Sequence, residues 1–291
     1  MKTSIPEKDL LSPGHLACQG CAATIAMRYA LKGLGEKTVL VVPACCWTVL
    51  AGPSPRSSVG VPLLHAPFAA AAATACGVKA GLRARGDEKT TVVAWAGDGG
   101  TFDIGIQALS GAAERNEDIT YVCYDNEAYM NTGIQRSGGT PRGAWTMTTP
   151  GGAGSELPKK DIDAILRGHH IPYQATATVA YPEDMVRKFQ KVRTIKGFRF
   201  IHVLSPCPPG WKHDPDLSVR FSRLAVQTGL FPLYEVEDGK LKISVPVPKR
   251  KPVNEFLAGQ GRFKGLTPEA VAGLQKGIDA RWEELASGRI A

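Results

Sequence analysis

Two sets of residues could do chemistry in this chain, one built of oxygen and the other of sulfur. Gly97-Asp98-Gly99-Gly100 interrupts the apolar run Val92-Val93-Ala94-Trp95-Ala96, and Asn126 stands beyond Gly99 with twenty-six residues between them. Asp98 is a hard carboxylate and Asn126 offers a neutral side-chain carbonyl. The irregular Glu127-Ala128-Tyr129 can turn the Ala128 carbonyl inward. An oxygen set of this kind suits Mg²⁺, which takes few protein ligands and completes its shell with water and substrate phosphates. Gly97, Gly99 and Gly100 would let main-chain N–H groups approach a diphosphate at a helix N-terminus. On its own, a Gly-Asp-Gly turn fits an ordinary α/β domain equally well, with Asp98 as a helix N-cap.

The sulfur set draws on seven cysteines. Cys18 and Cys21 form a Cys-x-x-Cys before a helical stretch, Cys46 follows Val39–Val42, and Cys207 follows Phe200–Leu204. Four thiolates converging from such loop positions can hold a 4Fe-4S cluster or zinc, and spacing alone does not separate the two. Cys76 and Cys123 lie in apolar runs and read as inert buried thiols. Cys45 directly precedes Cys46. On an extended segment neighbouring side chains point opposite ways, so only one of the pair should face the site.

These residues need a frame. The 92–96 run, the glycine turn, a helix-period segment with Ile104, Leu109 and Ala112 inward, and a second run at Ile119–Tyr124 make a strand–helix–strand unit. Its two strand ends should meet at the carboxyl edge of a parallel sheet. Further strands read at 39–42, 173–177 and 200–204, and helices at 22–34, 69–82, 159–169 and 182–192. The alternation implies an α/β protein with a doubly wound, mostly parallel sheet over residues 1–208. Residues 209–291 read as a C-terminal extension: a helical stretch at 224–228, a hairpin around Asp238-Gly239 and a helix capped by Thr267. The long segment Gln135–Pro158 reads as a functional loop. His65 either lines the site or is structural.

The chain has 291 residues, 43% hydrophobic and 21% charged, enough to bury a sizeable core. Its formal charge of +8 is dense only at Pro248–Pro252, which reads as a solvated linker and not a nucleic-acid site. A basic surface facing an acidic partner is the better expectation. No apolar run reaches membrane length and no signal peptide is evident, so a cytoplasmic location is expected, where seven cysteines do not imply a disulfide framework.

The spacing from Gly97-Asp98-Gly99 to Asn126 resembles the motif by which thiamine diphosphate enzymes hold Mg²⁺ and the cofactor. The run Tyr124-Asp125-Asn126-Glu127-Ala128-Tyr129-Met130-Asn131-Thr132-Gly133 is similar to the β subunit of pyruvate:ferredoxin oxidoreductase and of related 2-oxoacid:ferredoxin oxidoreductases. So are the segments HLACQGCAATIAMRYALK and SPCPPGW. The resemblance implies Mg²⁺ on Asp98, Asn126 and the Ala128 carbonyl. It implies thiamine diphosphate against Gly97, Gly99, Gly100 and Tyr129, with Asn131 and Thr132 near the reacting ring as catalytic residues. A 4Fe-4S cluster would sit on Cys18, Cys21, Cys46 and Cys207, with Cys46 also beside the thiamine.

The reaction implied is oxidative decarboxylation of a 2-oxoacid, pyruvate first. Electrons pass singly to the cluster and on to ferredoxin, and the acyl group goes to coenzyme A. No glutamate able to activate the cofactor is evident, so an α subunit would supply it within a complex that also holds γ and ferredoxin-like δ subunits. Cys45, Ala22, Ala69 and Ala70 depart from the family pattern. They leave open oxalate, branched-chain, aryl or 2-oxoglutarate substrates. The rival readings are a non-oxidative thiamine enzyme subunit with structural zinc and a non-enzymatic α/β binding module.

Overall fold

Apolar runs of the sequence become the strands of one sheet in the computed structural model, which describes residues 4–150 and 154–288. The first half contains α1 (Ala22–Leu34), β1 (Thr38–Pro43), α2 (Cys46–Leu50), β2 (Leu63–Ala66), α3 (Ala71–Ala84), β3 (Thr91–Gly97), α4 (Ile106–Glu114) and β4 (Thr120–Asp125). Then come α5 (Ile162–Arg167), β5 (Tyr173–Thr178), α6 (Pro182–Lys191), β6 (Arg199–Leu204), α7 (Pro208–Trp211) and α8 (Ser218–Gln227). The chain closes with β7 (Tyr234–Glu237), β8 (Lys240–Ile243), α9 (Asn254–Leu257) and α10 (Pro268–Ala286).

The sheet has eight strands in the order β2-β1-β3-β4-β6-β5-β7-β8. All neighbours are parallel except β5–β7 and β7–β8. Every residue of β3, β4, β5 and β6 is buried, as expected of parallel strands covered on both faces. One apolar layer sets Met27, Leu31 and Phe189 of α1 and α6 against Trp95 and Tyr124; the other sets Ala75 and Leu109 of α3 and α4 against Tyr121 and Phe200. A third cluster (Leu204, Trp211, Phe221, Phe256 and Phe263) covers the end of β6 with residues of the C-terminal extension. That extension is joined to the sheet, since β7 pairs antiparallel with β5 from Tyr173↔Glu237 to Ala175↔Glu235. Among the described residues, no helix is long and apolar enough to cross a membrane.

Three local expectations change. Ile104 is 53% exposed, because a wide π-type turn over Gly99–Asp103 delays α4 to Ile106 and rotates Ile104 off the inner face. The helix expected over 159–169 shrinks to α5, whose N-cap Asp161 accepts the Ala164 N–H at 2.9 Å. Lys159 and Lys160 fall outside it; Lys159 turns to the buried Asp125 and Glu127, and Lys160 to the half-buried Asp103. Cys46 does not lie in an extended segment. It opens α2, with Cys45 as the N-cap, whose N–H donates to Thr48 Oγ1 at 3.1 Å.

The strand order decides where the chemistry can be. β1, β3, β4 and β6 are consecutive neighbours in the sheet. Their carboxyl ends lead into Cys45-Cys46, Asp98, Asn126 and Cys207 respectively.

Candidate active site at the carboxyl edge of the sheet

Asp98 leaves β3 almost fully buried and accepts a hydrogen bond on Oδ2 from the Ser137 hydroxyl. The side-chain amide of Asn126, at the end of β4, reaches both Asp98 Oδ1 and the Ala128 carbonyl oxygen at 2.9 Å. With its NH₂ turned toward them it donates to both. With its oxygen turned toward them, three oxygens face one another, and about 2.9 Å is the edge of a regular octahedron with metal–oxygen bonds of about 2.05 Å. Asp98, Asn126 and Ala128 thus fit Mg²⁺ in donor type, and in the two separations that Asn126 makes. Burial, and then the Asp125 charge, push the Asp98 carboxyl well above the usual carboxylate range. A cation at this point would remove that penalty.

The turn that aims the Ala128 carbonyl passes through Glu127 at φ +69°, left-handed for a non-glycine residue. The Glu127 N–H donates to Asp125 Oδ1 at 2.9 Å and its carbonyl accepts Thr140 Oγ1 at 2.7 Å. Its carboxylate meets Lys159 at 2.9 Å and Arg262 at 2.7 Å. Asp125 takes Lys159 and His202 on Oδ2. Burial alone would raise the Asp125 carboxyl, yet these cations hold it below its ordinary value.

The glycine turn is shaped by close approach. A Cβ at Gly99 would lie 2.3 Å from the Tyr129 ring, and one at Gly139 would lie 2.9 Å from the Asp98 Cβ. Tyr129 is held over the turn by its hydroxyl, which donates to Asp103 Oδ2 at 2.8 Å. Gly97 and Gly100 are more loosely enclosed, by the Tyr124 hydroxyl and the Phe68 ring. Asn131 and Thr132 lie on the exposed turn after Tyr129, where Thr132 Oγ1 donates to Gln135 Oε1 at 2.6 Å.

The thiols form the neighbouring group. Burial, with the charges of Cys45, Cys207 and Cys21, pushes the Cys46 thiol up to about 12. Burial, with Cys21 and Cys18, does the same to Cys207. Cys21 and Cys207 therefore each lie within electrostatic reach of both Cys18 and Cys46. The CxxC segment is fixed to the Cys207 loop through Ala22 N–H to Pro206 O at 3.4 Å, and to α8 through Ser218 Oγ to Gly20 O at 2.6 Å. Among the described residues, no group of three or more His, Cys, Asp or Glu is gathered as a site for a metal ion. The donors themselves, four soft sulfurs of which burial raises the Cys21, Cys46 and Cys207 thiols, suit an iron–sulfur centre, which binds thiolates. Burial raises the Cys45 thiol, which lies beside the Tyr124 hydroxyl. Cys123 is buried in β4, Cys76 is half-buried on α3, and His65 is exposed on the edge strand β2.

Ser137, Lys159, His202, Asp163, Trp211 and Arg262 were not legible as site residues. His202 did carry a signal, since a titratable group inside an all-apolar strand must be paired. The sequence could not say with what.

The family profile described as "Thiamine pyrophosphate enzyme, C-terminal TPP binding domain" matches residues 45–203. "Ketoisovalerate oxidoreductase subunit VorB" of Pyrococcus horikoshii is 52% identical over 294 residues, covering 98% of this chain and 94% of that protein. "Pyruvate synthase subunit PorB" of Methanothermobacter marburgensis is 50% identical over 284 residues, covering 97% and 99%. In structure, the chain resembles a 2-oxoglutarate:ferredoxin oxidoreductase from Magnetococcus marinus with a TM-score of 0.59 at 20% identity, over 97% of this chain and 94% of that one. This last likeness speaks to the fold alone. The fold and the matched profile define a thiamine diphosphate-binding enzyme domain. More narrowly, the chain belongs to the β subunits of the 2-oxoacid:ferredoxin oxidoreductases.

Proposed function

We propose that this subunit holds thiamine diphosphate through Mg²⁺ on Asp98, Asn126 and the Ala128 carbonyl, beside a 4Fe-4S cluster on Cys18, Cys21, Cys46 and Cys207. The observation that carries the reading is the Asn126 side chain 2.9 Å from both Asp98 Oδ1 and the Ala128 carbonyl, on strand ends flanked by those that lead to Cys46 and Cys207. When bound, thiamine diphosphate supplies the carbon nucleophile that lets a 2-oxoacid lose CO₂, and the cluster accepts electrons singly.

The chain's own part is positional. N–H groups at Gly97, Gly99 and Gly100, beside Tyr129, would hold the diphosphate. Asp98, relieved of its burial penalty by the cation, stays ionised. Ser137 fixes its rotamer. Asn131 and Thr132, on an exposed turn that a partner subunit would cover, would serve the reacting ring. The activating glutamate comes from an α subunit, so the isolated chain is inactive. The extension at 209–291 packs on that partner, γ and ferredoxin-like δ subunits complete the complex, ferredoxin takes the electrons, and coenzyme A takes the acyl group.

Pyruvate is the first substrate to try. A second reading, a branched-chain 2-oxoacid, is favoured by the relatives named for ketoisovalerate at 50–52% identity, against 48–50% for three named for pyruvate. The deciding experiment is anaerobic purification of the complex, analysis of iron, sulfide, Mg²⁺ and thiamine diphosphate, and turnover on a panel. The panel is pyruvate, ketoisovalerate, 2-oxoglutarate, an aryl 2-oxoacid and oxalate, each with coenzyme A and ferredoxin. A colourless complex, or robust oxidation by this chain alone, would overturn the proposal.

A further inference from the structure

We infer that Arg262 and Trp211, both in the C-terminal extension, are positioning residues for the metal-binding turn at Asn126–Ala128. The inference rests on the Mg²⁺ reading above and assigns the extension a part in it.

The Ala128 carbonyl meets the Asn126 amide, which also meets Asp98, on a turn that passes through Glu127 at φ +69°. Glycine is the ordinary residue for such a position. Here the chain places a buried glutamate and clamps it. Lys159 holds Oε1 at 2.9 Å and Arg262 holds Oε2 at 2.7 Å, with both acid and arginine at most 5% exposed. Arg262 is itself fixed, its guanidinium 3.7 Å from the centre of the Trp211 ring and its Nε donating to Gln260 Oε1 at 3.0 Å. Trp211 then donates its Nε1–H to the main-chain oxygen of Asn126 at 2.8 Å. Two side chains of one stacked pair thus grip the turn at successive residues, one through the backbone of a metal ligand and one through the residue that sets the direction of the next. Buried ion pairs are weak devices for stability but exact in register, and this one sits where register decides whether three oxygens converge.

The test uses the full complex stripped of cofactor, with Mn²⁺ plus thiamine diphosphate as the probe and free Mn²⁺ read by electron paramagnetic resonance. Arg262→Lys and Trp211→Phe should each weaken Mn²⁺ binding roughly ten- to a hundredfold, as is usual for groups that orient metal ligands. Iron content at the cysteines should stay unchanged. A second pair separates geometry from charge and guards against misfolding. Arg262→Met combined with Glu127→Gly should bind Mn²⁺ more tightly than Arg262→Met combined with Glu127→Ala, since only glycine accepts the left-handed backbone freely. Both lack the ion pair, so their difference reads the turn alone. Wild-type affinity in Arg262→Lys and Trp211→Phe, or equal affinity in the two double variants, would overturn the positioning role. A wild-type complex that takes up no Mn²⁺ would instead bring down the metal reading, and this inference with it.

Discussion

His202 Nε2 lies 2.8 Å from Asp125 Oδ2, and the other ring nitrogen lies 2.8 Å from Asp163 Oδ2. The imidazole joins β6 to the end of β4 and to α5, so the strand end that leads into Asn126 is tied from the side. Each nitrogen faces a carboxylate, an arrangement that favours the doubly protonated ring.

A pH dependence follows. Burial opposes the His202 charge, but Asp163 and Asp125 prevail and raise its pKa to about 9, above the ordinary 6.5. A raised basic group contributes stability that is full below about 6.5 and lost as pH rises through about 9. Urea unfolding of wild type and His202→Gln at pH 6 and pH 10 should differ most at pH 6, by on the order of 2–3 kcal/mol, and converge at pH 10. Parallel curves for the two proteins would refute the assignment.

Asp98 should show the opposite balance. Its folded carboxyl is raised by burial and by Asp125, so without a cation its charge destabilises the fold at neutral pH. Asp98→Asn keeps the shape and the Ser137 contact. In chelator we expect the variant to be more stable than wild type, by on the order of 1–3 kcal/mol, while Mg²⁺-dependent binding of thiamine diphosphate is lost. Calorimetry with and without Mg²⁺ and cofactor checks the crossover. A variant less stable than wild type in chelator would show that the carboxylate is not under strain there.

The contrast between these residues explains what the sequence could convey. Asp98 and Asn126 were legible because a parallel strand ends abruptly at a polar residue, and the fold puts neighbouring strand ends together. α1 was read to the residue because Gly35 stops it with a left-handed backbone at φ +76°. The delayed start of α4 was not legible, since the turn over Gly99–Asp103 brings the Gly100 carbonyl so close to Gly105 that a Cβ there would lie 2.1 Å from it, an approach only the folded turn reveals. Nor was Arg262. Its partner is 135 residues away, and pairing at that separation depends on how the extension folds over β6.

Cys45 and Cys46 should behave differently despite being adjacent. Cys46 shares its surroundings with Cys21 and Cys207, whereas Cys45 caps α2 and lies beside Tyr124. Iron analysis of the anaerobic complex should find Cys46→Ser depleted of iron and Cys45→Ser close to wild type. Equal loss in both would mean that the helix cap and the thiol set cannot be separated. Loss confined to Cys45→Ser would reverse the assignment.

Gly99 gives the sharpest steric test. A methyl group there would sit 2.3 Å from Tyr129 Cε1, inside any real carbon–carbon contact, and 3.0 Å from Cζ. Tyr129 cannot retreat cheaply, because its hydroxyl is bonded to Asp103 and its ring packs edge-on against Phe68 with centroids 6.1 Å apart. Gly99→Ala must therefore displace the ring or open the turn that faces the diphosphate. Gly77, exposed on α3, has nothing within 4 Å of an added Cβ. Gly77→Ala should stabilise the fold by up to about 1 kcal/mol through helix propensity alone. Fluorescence titration with thiamine diphosphate and Mg²⁺ should show an affinity loss of about a hundredfold or more for Gly99→Ala, equivalent to roughly 3 kcal/mol, and none for Gly77→Ala. Since both changes add the same methyl group, only the space beside Tyr129 distinguishes them. Unimpaired binding by Gly99→Ala would mean that the cofactor does not lie on this turn.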